Sequence, residues 1–449
     1  MQNFNLDPTN ETEVKEFLNN KKKDLVDSYY KEYNGDRQIR SLQIGKRANY
    51  KQGNKTVEAE KLKINFQKKI VNTAVSFLFG EQPAITPKDS SDKGSVEILN
   101  ILEENRIGSK LMDFSEAVMS STIGAFIFNI DEDGNIKTRV YGSKNGTYTP
   151  FFDVYGDLKL FFWEFTVDDD TTYTWIFDDS NIYKYEDSKY VDIEEHGFDV
   201  IPVVFLEQDE PEWWEVKEMI DRVEMIISKL AGSNNYFAFP ILKMLGAMEK
   251  DADGNEKTLI DIAEDGKALM MGYAIKEGQI IKGEADFLQR DTGVDSIKLE
   301  IEYLKEFIFN ISQTPDLSFN NVKGIGAISG RALLLMLQDA INKSKRKQGH
   351  YKTVIERIIS VIKSGLRNTN SKLNTEDAKF NIKFNLSLPK DLSEEVRTLV
   401  EATGGRPILS QEAGVKHSPY TEDVEKEMEN LTNEEAQRNG RTFRINEDD

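Results

Sequence analysis

A chain of 449 residues is long enough for two or three domains with hydrophobic cores of their own. The formal net charge of -20 argues against non-specific nucleic-acid binding through bulk charge, and the absence of cysteine excludes disulfides and thiolate metal sites. The sequence has no secretory pattern at its start and no apolar segment that could cross a bilayer, so we expect a soluble protein made and used in a reducing cytoplasm.

Apolar residues recur three and four positions apart through the first part of the chain, which indicates amphipathic helices. Gly80 follows one of them where a helix C-terminus favours left-handed backbone. A basic segment, Arg37 to Lys55, is interpreted as a solvated loop, with contact to an acidic neighbouring subunit as the alternative. The predicted helices span residues 11 to 33, Val57 to Phe79, Val96 to Asn105 and Leu111 to Thr122.

From Gly124 the apolar period changes from 3.6 to 2, and aromatic residues become frequent, as in a half-buried antiparallel sheet. The segment Asp131 to Asn135 has the composition of a tight turn. The predicted strands are Ala125 to Ile130, Ile136 to Tyr141, Lys159 to Val167, Thr172 to Phe177, Asn181 to Glu186 and Val203 to Leu206.

Two further helices, Glu212 to Gly232 and 293 to 313, have similar length and patterning, and a small α+β insert, Tyr236 to Ala285, separates them. This order predicts a stalk with a head at its tip. Pro315 ends the second stalk helix, because the residue before a proline disfavours helical backbone. The second helix has an apolar stripe that we expect to be buried: Val294, Ile297, Ile301, Leu304, Ile308 and Ile311.

A segment with two glycines and no periodicity follows, Asp316 to Ile328, and Ser329 is placed to cap a second, longer helix that continues to Ile362. The basic run Lys343 to Lys347 in that helix is interpreted as solvated surface, with phosphate contact as the alternative. A strand at Lys379 to Leu388 and a polar tail of helical pattern complete the chain.

The residues that usually carry chemistry are not grouped. His196, His350 and His417 lie in three different elements, so a metal site or a histidine-based catalytic pair is not expected. The glycines from Gly324 to Gly330 lack the Gly-Lys-Ser/Thr ending of a phosphate loop. No spacing of carboxylates selects a two-metal nuclease or hydrolase site. We therefore predict no cofactor, no metal and no enzymatic activity.

The order of several short stretches resembles the portal proteins of tailed bacteriophages. The stretches are Tyr33 to Gly35 with Ile70 to Asn72 and Phe77 to Pro83; Phe287 to Asp291 with Ile311 to Asp316; Ala327 to Leu333; and Asn385 to Asp391 with Ile408 to Glu412 and Asp423 to Glu427. Each stretch is weakly specific alone, and their order and spacing across most of the chain carry the resemblance.

The resemblance implies an α+β, mainly helical portal fold: a wing containing an antiparallel sheet, a two-helix stem and a small α+β clip. It also implies a ring, usually dodecameric, at one capsid vertex. Carried onto this chain, the regions are the wing, 1–212 and 330–388; the stem helices, 213–235 and 292–314; the clip, 236–291; the tunnel loop, 315–329; and the crown with the C-terminal tail, 389–449.

The function implied by the resemblance is a channel in the virion, assembled in the host cytoplasm, through which double-stranded DNA is packaged and later ejected. The implied partners are the terminase large subunit, a head-completion or adaptor protein, and the major capsid and scaffolding proteins, with no membrane. The candidate DNA-contacting residues of the tunnel loop are Asn320, Asn321 and Lys323, with Gly324 and Gly326 for flexibility; an ordinary surface loop is the alternative. A non-enzymatic acidic scaffold or adaptor that binds partners through its helices also fits the composition.

Overall fold

The computed structural model describes most of the wing and stem, and only short strands of the segment between the stem helices. The described residues are 6–19, 23–36, 49–52, 55–89, 91–167, 171–237, 242–245, 248–250, 256–258, 260–262, 269–271, 273–276, 279–282, 284–287, 294–316, 334–369, 373–385, 392–404, 408–421 and 423–445.

Helices form much of the N-terminal region, as the apolar spacing predicts. Where one helix is predicted over residues 11 to 33, the structure describes two, and they pack on different cores. The first buries Val14 and Leu18 against a sheet, and the second buries Tyr29 and Tyr33 in the main core. The helices are α1 Glu11–Asn19, α2 Lys23–Tyr33, α3 Phe66–Phe79, α4 Lys93–Glu104 and α5 Ile107–Ser121.

The predicted start of α3 at Val57 is wrong. Residue 57 ends a short hairpin, β1 Tyr50–Gln52 with β2 Lys55–Val57, and the helix begins at Phe66. The intervening chain bonds to the helix α6, Lys217–Phe237, instead of to itself: the Leu62 N–H donates to Ser228 Oγ (2.9 Å) and the Ile64 N–H to Glu224 Oε1 (2.6 Å). Tertiary hydrogen bonds therefore override the local helical pattern.

The predicted left-handed backbone at Gly80 is also wrong. Gly80 has a φ of -59° and its N–H bonds to Ser76 O at 2.9 Å, so it continues the right-handed turn. The chain leaves the helix at the next residues and enters the strand β3, Ala84–Pro87.

Two antiparallel sheets follow, in the strand orders β11-β4-β5 and β10-β9-β8-β7-β6. All six predicted strands are present. The two missed strands are β6, which contains Pro150, and β10, which is exposed along most of its length and so lacks alternation. The bounds are β4 Ile123–Ile130, β5 Ile136–Gly142, β6 Thr147–Phe152, β7 Leu158–Thr166, β8 Thr172–Phe177, β9 Asn181–Glu186, β10 Lys189–Glu195 and β11 Val203–Glu207.

The main core lies between the N-terminal helices, one face of the three-stranded sheet β11-β4-β5 and a long helix that follows the stalk. The second stalk helix is α7, Val294–Ile311, and the long helix that follows it is α8, Gln338–Thr369. Its C-terminal half buries Ile355, Ile358 and Ile362 completely. A final strand, β20 Phe380–Lys383, pairs with β3, so the C-terminal part of the chain closes the N-terminal domain.

The helices α6 and α7 pack together as the predicted stalk, and Arg222 of α6 bonds Glu300 of α7 at 2.7 Å. The insert between them starts and ends in one antiparallel pair, β12 Leu242–Leu245 with β19 Glu284–Phe287, so its two ends lie side by side. The remaining described strands form hairpins: β13 Met248–Lys250 with β14 Glu256–Thr258, β15 Ile260–Ile262 with β16 Leu269–Met271, and β17 Tyr273–Lys276 with β18 Gln279–Lys282.

The tail is helical, as its pattern predicts, with α9 Leu392–Thr403, α10 Gln411–His417 and α11 Val424–Ile445. The predicted class, a mixture of helices and antiparallel sheet with a two-helix stalk, is confirmed. In the described ranges, no helix is long and apolar enough to span a membrane.

Candidate functional site

The predicted contact residues Asn320, Asn321, Lys323, Gly324 and Gly326 lie outside the described residues, as does the predicted cap Ser329. The structure describes the chain on both sides of them, up to residue 316 and again from residue 334. The candidate site is therefore built from these two ends and from the elements that hold them.

The first end is the turn after α7. The helix ends at Ile311, before Pro315, and Gln313 has a φ of +54°. The Gln313 N–H donates to Asn310 O (3.1 Å) and the Thr314 N–H to Phe309 O (2.9 Å). This pair of bonds is the Schellman arrangement that closes many helices, in which the left-handed position is usually glycine. A glutamine costs about 1–2 kcal/mol more there because its Cβ approaches the carbonyl oxygen.

The second end is the N-terminal part of α8, where two lysines bind one carboxylate. Glu212 has a side chain only 9% exposed, and one of its oxygens lies 2.7 Å from Lys343 Nζ while the other contacts Lys347 Nζ. The interpretation of the basic run as solvated surface is wrong for these two residues, whose side chains are 13% and 22% exposed. It holds for Lys345 and Arg346, which are exposed.

Glu212 belongs to the wing core through its backbone. Its N–H donates to Met119 O at 3.0 Å, and the indole N–H of the fully buried Trp213 donates to Ser120 O at 3.2 Å. The segment that carries the carboxylate is thus fixed to the C-terminal turn of α5. The carboxylate is presented to α8 from a rigid position.

Two opposing effects act on the pKa of Glu212. Burial would raise it, and the ammonium groups of Lys343 and Lys347 outweigh burial and hold the pKa below its ordinary value. One turn further along the same face of α8, burial raises the pKa of Tyr351 well above its ordinary value, and the Glu212 charge adds to the shift. Glu212 is therefore ionised at neutral pH and Tyr351 is neutral.

Both ends of the segment are held by further polar contacts. Lys343 Nζ donates to Ser312 O (2.9 Å), and Arg346 donates to the side-chain oxygen of Gln313. Lys69 of α3 lies 3.7 Å from Asp316 and 4.3 Å from the ring centre of Phe309. Ser312 and Gln313 therefore contact α8, through a carbonyl oxygen and a side chain respectively, and Asp316 contacts α3 through its carboxylate.

The helix α7 has an exposed apolar stripe that the sequence analysis missed. Of the predicted buried stripe, Ile308 is fully buried and Ile311 is 41% exposed. A second set of large apolar side chains recurs every four residues along the helix, with Tyr303 and Phe307 stacked at 6.5 Å between ring centres. The set, called the stem stripe below, is Leu299 (49% exposed), Tyr303 (52%), Phe307 (50%) and Ile311.

The side chains of the described residues form no arrangement suited to catalysis by histidine or metal. His196 is buried, and its ring accepts from the Phe198 N–H (3.1 Å) and bonds Asp178 O (3.1 Å). Burial lowers its pKa, so it packs as a neutral side chain. No group of three or more potential metal ligands occurs in the part of the chain that the structure describes.

A two-helix stalk with an insert between its helices, standing on a region of helices and antiparallel sheet, is the architecture expected of a phage portal protein. Residues 15–441 match the family model described as "Phage portal protein, SPP1 Gp6-like". Because this match spans nearly the whole sequence, the chain belongs to the SPP1 Gp6-like family of phage portal proteins. A search of curated proteins returns no match.

The solved structures that match the chain include two necks of GTA particles and one phage portal protein, all at low identity and low TM-score. The neck of an empty GTA particle computed with C6 symmetry matches with a TM-score of 0.40 at 11% identity, covering 85% of this chain and 93% of that one. The neck of a native GTA particle computed with C12 symmetry gives 0.39 at 10%, covering 84% and 97%. An HK97 family phage portal protein from Corynebacterium diphtheriae gives 0.32 at 8%, covering 74% and 99%.

Proposed function

We propose that the chain assembles into a closed ring, a dodecamer, at one vertex of the capsid. The observation that supports it is the stem stripe: four large apolar side chains, each 41% to 52% exposed, on one line of one helix. Such a continuous apolar line in water is typical of an interface. In a ring, each copy covers the stem stripe of its neighbour. Because head-to-tail contacts around a ring close, no copy is left with an uncovered stripe.

The ring is a conduit for double-stranded DNA during packaging and ejection, and the chain itself catalyses nothing. DNA carries one negative charge per roughly 1.7 Å of axis, so a strongly basic bore would retain it at every step. The net charge of -20 suits a bore in which DNA slides. The loop 315–329 touches the DNA backbone without reading sequence, through Asn320, Asn321 and Lys323, and Gly324 and Gly326 supply its flexibility.

The regions of the chain then divide as wing 1–212 and 330–388, stem 213–235 and 292–314, clip 236–291, and crown with tail 389–449. The clip meets the terminase large subunit during packaging and the head-completion or adaptor protein afterwards. The wing and crown contact the major capsid and scaffolding proteins during assembly in the host cytoplasm. The described bounds of α6 and α7, Lys217–Phe237 and Val294–Ile311, agree with this division of the stem to within a few residues.

The first test is the mass of the purified full chain by light scattering over a range of concentrations, with negative-stain images of each peak. We expect particles of about twelve subunits with a central hole. A compact dimer that forms no ring at any concentration would favour the alternative, an acidic scaffold or adaptor that binds partners through its helices.

The second test removes Phe319 to Gly326. We expect rings of unchanged mass that package DNA poorly or lose it after packaging. Loss of ring assembly would instead make the loop a structural element, and full packaging by the shortened rings would remove the DNA contact from the proposal.

A further inference from the structure

Three separate parts of the chain meet at the turn after α7. They are the segment before α6, the turn itself, and the first turns of α8. The side chains that join them are Glu212, Gln313, Lys343, Arg346 and Lys347, which we call the latch.

We propose that the latch fixes the C-terminal turn of α7 on α8 and on the wing core, and so sets the direction in which the tunnel loop leaves the stem. The inference rests on the proposed function for its consequence, the presentation of the loop to DNA. Its mechanical part, the fixing of the turn, stands on the contacts alone.

The first argument is how the charges are shared. A single buried carboxylate binds two ammonium groups, and Lys343 also donates to Ser312 O, a terminal carbonyl of α7. Terminal carbonyls carry the partial negative charge of a helix end and favour a cation there. Lys343 thus joins wing core and stem with one ammonium group, and removing that group leaves the buried Glu212 carboxylate with one cationic partner instead of two.

The second argument is the residue at the left-handed position of the turn. If only the turn were required, glycine would adopt its φ of +54° without strain. The chain has glutamine there, and the glutamine side chain accepts from Arg346. Strain held at one residue by a specific contact is typical of a functional position, and here the contact joins the turn to α8.

The third argument is the spacing on α8. Positions 343, 346 and 347 are related by three and four residues, so they share one face of the helix. All three contact Glu212 or the turn after α7, and Arg346 does so although it is exposed; Lys345 lies on another face of the helix. A run of basic residues on a solvated surface would show no such division. Lys345 is therefore a matched control, since it carries the same charge in the same run.

The experiment uses the absence of cysteine from the chain. In the full-length protein, Val322→Cys introduces one thiol in the tunnel loop for a spin label. The variants Lys343→Met, Arg346→Met and Gln313→Gly, and the control Lys345→Met, are made in this background. For each we measure ring mass, hydrogen exchange of the amides from Ser312 to Asp316, and the mobility of the label.

We expect Lys345→Met to match the parent. Lys343→Met should speed hydrogen exchange of the Thr314 amide about tenfold and increase label mobility. Opening of the turn after α7 then no longer requires breaking the bond between the Lys343 ammonium group and Ser312 O. Gln313→Gly should increase label mobility while the turn still forms, because glycine keeps the backbone and loses only the contact to Arg346. That variant keeps the test decisive even if Lys343→Met fails to fold.

Equal exchange and equal label mobility in Gln313→Gly, Arg346→Met and Lys345→Met would overturn the latch. Failure of the proposed function gives a different result. The proposed DNA role of the loop fails if no variant forms rings, or if rings with a mobile loop package DNA normally. Faster hydrogen exchange at the turn after α7 would still establish the latch in either case.

Discussion

The wing and the stem bury their apolar residues to very different extents. In the wing, Phe114 of α5 and Phe126 of β4 stack at 4.8 Å between ring centres and are fully buried, and Tyr351 of α8 packs edge-on against Phe114. In the stem, α7 buries Ile308 and Phe309 where it meets the wing and leaves the stem stripe about half exposed along the rest of its length. The wing core is closed within one chain, whereas the stem stripe stays about half exposed in a single chain. In the proposed ring, folding and assembly would therefore depend on different residues.

The largest expected effect tests the wing. Phe114→Ala removes a large side chain from a closed core, so we expect the free energy of unfolding to fall by about 3–5 kcal/mol. Denaturant unfolding of the unassembled chain measures it. A loss below about 1 kcal/mol would mean that the core is not closed within one chain and would weaken the contrast with the stem.

The next effect tests the stem. Phe307→Asp places a charge in the centre of the stem stripe, and we expect the subunit concentration needed for assembly to rise about 100-fold or more. The unfolding free energy of the monomer should change by less than about 0.5 kcal/mol, because the side chain is half exposed. Val96→Asp, at a wing residue that is 44% exposed on α4, is the control and should assemble normally. Equal loss of assembly in both variants would separate assembly from the stem stripe.

A smaller effect tests the junction of the two regions through pH. The pKa of Glu212 is lower in the folded chain than its ordinary value, so its contribution to stability is complete above about pH 4.3 and is lost as the pH falls through the folded pKa. Glu212→Gln should cost roughly 2 kcal/mol at pH 7, because an amide loses the charged bonds to both lysines. The difference from the parent should shrink as the pH falls below about 4.3. Urea unfolding at pH 7 and at acid pH measures it, and a difference that is independent of pH would contradict the assignment.

The smallest effect tests a single hydrogen bond within the wing. The hydroxyl of the buried Ser364 on α8 accepts from the Asp199 N–H at 2.7 Å. Ser364→Ala leaves that N–H without its acceptor, and we expect a loss of about 1 kcal/mol in the free energy of unfolding. Assembly measured at the same subunit concentration should not change, since neither Asp199 nor Ser364 belongs to the stem stripe. Impaired assembly would show that wing packing and stem contacts are coupled.

Much of the element pattern could be predicted because local spacing governs it. The strands from β4 to β11 with clear alternation, the stalk helices and the helical tail all follow from periods of 2 and 3.6. The start of α3 could not be predicted, since Leu62 and Ile64 bond to side chains of α6 that lie more than a hundred residues away in sequence. The strand β10 was missed because both of its faces are exposed, so no alternation marks it.

The candidate site divides in the same way. Asn320, Asn321 and Lys323 remain predictions, since they lie outside the described residues. The sequence did show part of the latch, as the basic run on α8. Such runs are more often solvated surface, and the run was therefore interpreted in that way. Only the position of Glu212, brought to α8 by the packing of Trp213 beside α5, separates Lys343 and Lys347 from Lys345.

The sequence by itself determined the order of the elements, the two-helix stalk with its insert, and the family, because periodicity and short ordered stretches are properties of the chain in one dimension. The tertiary structure decided which face of each helix is covered and which charges meet. On α7 it buries Ile308 and leaves Ile311 41% exposed, although the helical spacing placed both residues in one buried stripe. Burial depends on what packs against a side chain, and a residue's neighbours in space are fixed only when the whole chain has folded.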